Sequence, residues 1–407
     1  VKIVYIHQYF KTYTEGGSSR SYYLAKALVD NGFEVELITS HNDKTYQCAT
    51  IDGIRVHYLP VYYDNHLGFF KRIQAFVAFM WQAYRLASRL TNVNFCYASS
   101  TPLTVGIIAL LLKYRRNIPF YFEVRDLWPL APVQLGVIRN PLLQKILSWL
   151  ERRLYRESTA LVALSPGIAA HIAEQTPNKP VHLLPNISDC DFFRKEDKKS
   201  NYAHKYHVTN KFVVTYFGAV GKVNYLQSLV EIAHKAQESQ QQDLVFLIVG
   251  RGNQLVDVQQ LVRTYALTNV RFIPHVSKYQ LREIMNITDA VYVSFASYPV
   301  LETSSPNKFF DTLAAGKLCV TNTPGWITTL VQEHECGFYV DPHAPGDFLA
   351  KISYYMADPE ALEQAQYNAR RLAEIHFARE KLTQQFVQLF EEESAIRLPA
   401  KATAVYE

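Results

Sequence analysis

Nearly the whole chain alternates short β-branched runs with amphipathic stretches, and that alternation limits the folds open to it. Runs that read as buried strands lie at 2–6, 34–39, 54–58, 94–98, 119–124, 160–164 and 181–184. Helical spacing fits 19–31, 68–90, 103–115, 141–156 and 166–174 between and around them. A second series follows, with strands at 212–217, 244–249, 270–273, 290–293, 318–321 and 338–340. Its helices fit 224–239, 253–266, 278–286, 307–315, 326–333, 346–356, 359–375 and 379–394. Strands that alternate with helices form parallel sheets wound by right-handed crossovers. Two series therefore imply an α/β chain of two doubly wound, Rossmann-like domains. Ligands of such sheets bind beyond the carboxyl ends of the strands. Two facing sheets would place a site in the cleft between them.

The stretch 188–211 is polar, charge-dense and poor in aliphatics, and is the expected linker. The expected divisions are a first domain over 1–190, a second over 191–378, and a final 379–407. That last part holds a helix expected to return toward the first domain, then a tail without periodicity. At 407 residues, 48% hydrophobic and 19% charged, the chain has the material for two cores, and disorder as its main state is excluded. Five dispersed cysteines without a CxxC suit a reducing compartment. The start VKIVYIHQYF lacks the features of a signal peptide, and the longest apolar runs, such as 106–112, are too short to span a bilayer. The expected location is the cytoplasm. Residues 1–190 carry seven more basic than acidic side chains, while the remainder carries two more acidic than basic. That asymmetry suits a partner with phosphate or membrane charge on the first domain, or is ordinary surface variation. No aromatic-basic platform for nucleic acid stands out.

Three turns carry chemistry. The first strand is followed by Glu15-Gly16-Gly17-Ser18-Ser19 and then a helix. Paired glycines let backbone N–H groups approach an anion at a helix start, although turn glycines are as readily structural. No GxGxxG is present and no acidic residue closes the second strand, so a dinucleotide is not expected there. The second turn is Gly218-Ala219-Val220-Gly221-Lys222. Lys222 could neutralise a diphosphate, or be an exposed lysine in a glycine turn. The third runs Ser304-Ser305-Pro306-Asn307-Lys308-Phe309-Phe310-Asp311 into a helix. Its N-terminal N–H groups and Lys308 suit phosphate oxygens. Asp311, one turn on, suits a ribose diol, because a carboxylate accepts two hydrogen bonds.

With these turns in place, the chain resembles the GT-B glycosyltransferases of family 4, the group 1 type. It is most similar to bacterial members that build surface polysaccharides, including N-acetylaminosugar transferases. The matching stretches are HQYF…EGGSSRSYYLAKALVDNGFEVELIT, SSTPLTVGIIALLL, FEVRDLWP, ALVALSPGI, LLPNISD, YFGAVGKVNYLQSLV, FLIVGRGN and SSPNKFFDTLAAGK. They follow the family's order over nearly the whole chain. The resemblance implies that Gly16 and Gly17 meet the donor phosphate and the acceptor. Gly218, Gly221 and Lys222 would border the diphosphate, with Gly250 and Gly252 turning near the nucleoside. His275 and Val276 would present backbone to the base. Ser305, Pro306, Asn307 and Lys308 would hold the diphosphate, with Asp311 on the ribose. Three positions depart from the family. Its E-x7-E pair has Asp311 in second place but Thr303 in first, and Glu302, one residue off, is the candidate catalytic substitute for it at the sugar. Ala219 stands where Arg is frequent, and Arg125 where many relatives carry His. Asp126, beside Arg125, is then a candidate base or orienting group at the cleft mouth, or a turn cap.

The resemblance implies a retaining transferase that takes a nucleoside-diphosphate sugar, with UDP the expected nucleotide. The expected acceptor is a saccharide or a polyprenyl-diphosphate-linked saccharide. No DxD-like site is evident near these loops, so no metal and no cofactor are expected. The alternatives are a non-catalytic nucleotide-sugar-binding protein and a sugar-nucleotide 2-epimerase on the same fold. The aromatic and basic stretches 69–85 and 141–156 suit an anionic membrane surface, or are crossover helices with an apolar face.

Overall fold

Eight short runs rich in β-branched and aromatic residues build the first sheet. They are β1 (Lys2–Ile6), β2 (Glu34–His41), β3 (Gln47–Ile51), β4 (Ile54–Pro60), β5 (Val93–Ser99), β6 (Phe120–Val124), β7 (Ala160–Ala163) and β8 (Val181–Leu183). The computed structural model describes residues 1–397 except 14, 16–18, 65–66, 195, 197 and 199. The spatial order is β3-β4-β2-β1-β5-β6-β7-β8. Every neighbouring pair is parallel except β3 with β4. The sequence pattern predicts β4 and not β3. β3 is exposed along nearly its whole length, so it carries no burial pattern. Its pairing is set by the Asp52-Gly53 turn, where both residues have positive φ.

Six strands build the second sheet: β9 (Phe212–Ala219), β10 (Leu244–Arg251), β11 (Val270–Ile273), β12 (Ala290–Val293), β13 (Leu318–Thr321) and β14 (Gly337–Tyr339). All pairs are parallel, in the order β11-β10-β9-β12-β13-β14. Each sheet therefore reverses its winding once, between β1 and β5 in the first and between β9 and β12 in the second. Ligands of open α/β sheets bind at such reversals, outside the carboxyl ends of the strands.

Helices cover both faces. In the first domain they are α1 (Arg20–Asp30), α2 (Phe69–Ala87), α3 (Thr104–Arg116), α4 (Leu130–Gln134), α5 (Pro141–Glu157) and α6 (Pro166–Gln175). In the second they are α7 (Ser200–Lys205), α8 (Gln227–Glu238), α9 (Leu255–Thr264), α10 (Lys278–Ile287), α11 (Asn307–Ala314), α12 (Trp326–Glu333), α13 (Pro345–Ala357) and α14 (Pro359–Leu372). The last helix is α15 (Arg379–Arg397). It lies against α1 of the first domain, and its Phe386 and Phe390 pack on Tyr97. Tyr121 Oη donates to the Leu389 carbonyl at 2.9 Å.

The chain crosses between domains twice, and the crossings run side by side. Ser188 N–H donates to the Phe377 carbonyl at 2.8 Å, and the Ser188 hydroxyl to the Phe310 carbonyl at 2.9 Å. Arg370 holds the Cys190, Phe193 and Ala314 carbonyls together. The start of the expected polar linker is accordingly not a free tether. Ser188, Asp189 and Phe193 are buried, and α7 is a helical turn inside the same stretch. A buried carboxylate and serine supply the anchoring here, which a reading for apolar pattern passes over.

Candidate functional site

The carboxyl ends of the two sheets meet across a cleft of about 600 Å³. One wall comes from the second domain. It includes Gly218 and Ala219 at the end of β9, Gly250 at the end of β10, His275 and Val276 before α10, and Pro306, Asn307, Lys308 and Asp311 of α11. Asp126, beyond β6, lines it from the first domain.

The glycine turns are held open by their own backbones. A Cβ on Gly250, whose φ is +146°, would stand 1.9 Å from the Gly218 carbonyl oxygen. A Cβ on Gly252 would stand 2.1 Å from the Val220 carbonyl oxygen. The turns after β9 and β10 therefore interlock, and only glycine permits it. Gly250 faces the cleft. Gly252 and Gly221 are not among the residues lining it and set the shape of the turns instead.

Helix α11 supplies the charged groups. Pro306 precedes it in extended conformation, which leaves the first N–H groups of the helix aimed outward. Lys308 turns back over β9 and is 9% exposed. Its Nζ donates to Tyr216 Oη at 2.9 Å and lies 4.0 Å from the centroid of that ring. Burial pushes its pKa down to about 7. An arriving polyanion would restore its full charge. Asp311 also lines a small cavity shared with Arg20, Tyr23, Asp189 and Lys278. Burial pushes its carboxyl up to about 7; Lys278 opposes the shift and Asp189 adds to it. Burial also lowers the His275 pKa, with Arg251 assisting.

Two expected catalytic groups stand elsewhere. Lys222 is exposed on a single 3₁₀ turn, and Glu302 is exposed on another; neither lines the cleft. Thr303, beside Glu302, packs on Gly167 of α6, and its carbonyl accepts from Ser165 Oγ at 2.5 Å. This turn serves as a domain contact, which keeps the Glu302 carboxylate from the cleft. Ser305, expected on the diphosphate, does not line the cleft; its carbonyl accepts from Asn186 Nδ2 at 2.5 Å. Gly16 and Gly17 lie outside the described residues.

Behind Asp126 the first domain holds a buried cluster to which the sequence analysis gave no role. Arg125 Nη1 lies 3.0 Å from His7 Nε2, and His7 Nδ1 lies 2.8 Å from Ser21 Oγ. A guanidinium only donates, so His7 accepts at Nε2 and is neutral there. Burial, with Arg125 adding, pushes its pKa down to about 3. Behind this pair, Arg20 Nε donates to Glu123 Oε1 at 2.8 Å, and its other nitrogens donate to the Leu184 and Pro185 carbonyls. Glu123 also accepts from Ser99 Oγ. Burial would raise the Glu123 pKa, but Arg20 and then Arg125 bring it below the usual range. Asp126 is reached by solvent at the cleft; the surrounding protein raises its pKa and Arg125 opposes.

Lys278 is the other residue that sequence reading missed. It opens α10 behind a Ser277 capping box, is buried, and lines the cleft. Its Nζ donates to Asp189 Oδ2 at 3.2 Å, and Tyr23 Oη donates to the same oxygen at 2.5 Å. Arg379 donates to Asp189 Oδ1 at 3.2 Å. One carboxylate on the crossing segment thus joins α1, α10 and α15 beneath the cleft. Among the described residues no group of three His, Cys, Asp or Glu is set to hold a metal ion.

Comparison with known families agrees with this geometry. Residues 15–187 match the model of a glycosyl transferase 4-like domain, and residues 197–372 match glycosyl transferases group 1. No curated protein matches the chain by sequence. Among solved structures, sucrose-phosphate synthase from Thermosynechococcus elongatus superposes with a TM-score of 0.79 at 16% identity, covering 97% of this chain and 99% of that one. Anabaena HepE in complex with UDP-glucose gives 0.70 at 15% identity, over 96% and 99%. WaaG, a glycosyltransferase involved in lipopolysaccharide biosynthesis, gives 0.68 at 12% identity, over 95% and 99%. At such identities the likeness speaks for the fold, two Rossmann-like domains about a shared cleft.

Proposed function

Because the chain belongs to the group 1, family 4 type of GT-B glycosyltransferases, we propose that it is a retaining enzyme of surface polysaccharide synthesis. It moves a hexosyl or N-acetylhexosaminyl group from a UDP-sugar to a saccharide or polyprenyl-diphosphate-linked saccharide. The observation that carries the reading is α11. It aims its N-terminal N–H groups, Lys308 and Asp311 into a cleft whose opposite wall holds Asp126.

In this mechanism Asp311 accepts from the ribose hydroxyls, and the turns after β9 and β10 lie along the diphosphate. The acceptor hydroxyl bonds to the anomeric carbon on the same face of the sugar as the bond from that carbon to the β-phosphate oxygen breaks, so the configuration is kept. Asp126 orients the hydroxyl and takes its proton. Charge that develops on the departing diphosphate meets the helix end and the Lys308 ammonium, both fixed in advance. These positive groups do the work a divalent ion would otherwise do, so the transfer is independent of metal. UDP release from a panel of UDP-sugars is expected to require an added saccharide acceptor and to survive EDTA. The anomeric proton coupling of the product is expected to match that of the donor. Inverted product, or turnover that EDTA abolishes and magnesium restores, would refute the corresponding part.

Contact with an anionic membrane belongs to the same proposal. No helix among the described residues is long and apolar enough to cross a membrane. Yet Phe70, Ile73, Val77 and Trp81 form one exposed stripe on α2, with Phe70 80% exposed. Leu142, Ile146 and Trp149 do the same on α5, and both helices pack on α3. Lys71, Arg85, Lys145, Arg152 and Arg156 stand exposed around them. Apolar side chains ringed by cations suit an anionic bilayer surface. Flotation with anionic liposomes is expected, and Phe70→Ser with Trp81→Ser is expected to abolish it. No salt-sensitive flotation of the parent chain would refute this part.

A further inference from the structure

We infer that Lys278 holds the ribose diol of the donor together with Asp311, so that the cleft takes sugars carried on ribonucleoside diphosphates and refuses those carried on deoxynucleotides. The inference rests on the reading of Asp311 as the ribose contact.

Lys278 and Asp311 stand at one place. With Asn307, they line both the cleft and the small cavity that lies against α1. The ammonium is near enough to oppose the upward shift of the Asp311 carboxyl. The cavity measures about 20 Å³, room for about one water, so a ligand reaches the pair from the cleft side.

The placing of Lys278 runs against local preference. It is the first residue of α10, where the positive end of the helix dipole disfavours a cation. It is also 7% exposed, and lysine is rarely buried unless paired. Its pairing is thin. Among the described residues its hydrogen-bond acceptor is Asp189 Oδ2, at 3.2 Å. Its other neighbours are rings, with Nζ 4.7 Å from the centroid of Phe192 and 5.7 Å from those of Tyr23 and Phe193. An ammonium carries three donors, so the cleft must supply what the protein does not. Nor does Asp189 require this lysine. Arg379, the Tyr23 hydroxyl and the Phe192 N–H donate to the same carboxylate. Neutralising Asp189 therefore does not account for Lys278.

A vicinal diol suits the two groups jointly. A hydroxyl both donates and accepts, an ionised carboxylate only accepts, and an ammonium only donates. A ribose hydroxyl that gives its proton to Asp311 keeps lone pairs for Lys278. A phosphate oxygen at the same place would meet the carboxylates of Asp311 and Asp189. A sugar that lacks one hydroxyl leaves part of this polar pair without a partner, and sites of that kind reject the deficient analogue strongly.

The test is titration calorimetry of the full chain with UDP, 2′-deoxy-UDP and 3′-deoxy-UDP, which share base and diphosphate. The parent chain is expected to prefer UDP over each analogue by at least about a hundredfold. Lys278→Met keeps the stem against the rings and removes the donors. It is expected to cut the preference over at least one analogue by about tenfold or more, the usual worth of a hydrogen bond to a charged group. Lys278→Gln removes the charge in a second way and is expected to do the same in smaller measure. A merely structural role would weaken all three ligands alike and leave the ratios unmoved. Ratios that both variants leave unchanged overturn the role of Lys278, while Asp311 keeps its own. Equal affinity of the parent chain for the three diphosphates overturns the ribose reading and the inference with it. No affinity for UDP overturns the transferase reading as well.

Discussion

The two walls of the cleft are made by different means. The second-domain wall is mostly main chain. Two interlocked glycine turns and one helix end present N–H groups and carbonyls, and Lys308 and Asp311 add charge from a single turn of α11. The first-domain side, behind Asp126, is mostly side chains drawn from four separate segments. His7, Arg20 with Ser21, Ser99, Glu123 and Arg125 hold one another by ion pair and hydrogen bond. A wall of main chain can lose a side chain and keep its shape. A wall of interlocked side chains cannot.

The sharpest way to break this contrast is at Glu123. Glu123→Ala leaves the Arg20 guanidinium, 2% exposed, without its carboxylate. Removing one partner of a buried pair costs about 3–5 kcal/mol. Urea unfolding is expected to show a loss of that size, and a loss under about 1 kcal/mol would remove the contrast. Lys308→Gln is the counterpart on the other wall. Its fold is expected to survive, because burying the native ammonium is itself unfavourable. Donor turnover, read as kcat/KM for UDP release, is expected to fall about 10²–10³-fold, the usual loss for one fixed positive donor.

The same contrast decides how much the sequence discloses. The α/β alternation and the glycine turns are local patterns, so the two sheets and the second-domain wall are legible from the chain. The pairing of Arg20 with Glu123 spans about a hundred residues, and nothing local marks the two as partners. Lys278 is equally silent, since a lysine after a Ser cap ordinarily reaches solvent. Asp52-Gly53 was a readable hairpin signal, but exposed β3 carries no apolar alternation to confirm it. Glu302 shows the opposite failure. It stands one residue from a family position, but its turn is held against α6, so nearness in sequence does not become nearness in space.

A subtler test uses pH, with UDP-glucose as probe because its diphosphate diester has no proton to lose near neutrality. Burial sets Lys308 near 7, so above that pH the free protein holds a neutral amine. Binding the diphosphate must then take up a proton, and affinity is expected to fall with rising pH, by up to about tenfold per unit. Burial also sets Asp311 near 7, so below that pH its carboxyl is protonated and accepts hydroxyls poorly. Affinity is expected to fall there too, which gives a maximum near neutrality. Lys308→Gln should flatten the alkaline limb only, and Asp311→Asn the acid limb only. A flat profile in the parent chain would mean that neither group meets the ligand.

The smallest expected effect separates the parts of one motif. Gly218 and Lys222 share a glycine turn, but Gly218 lines the cleft and Lys222 does not. Lys222 is exposed, where a charge is screened by water and by salt beyond about 8–10 Å. Lys222→Ala is therefore expected to change UDP-glucose affinity less than about threefold, within the range of an exposed ionic contact. A loss of a hundredfold would mean that the turn swings inward when the ligand arrives. The second-domain wall would then move on binding, and its rigidity could no longer explain why one lysine, Lys308, does so much.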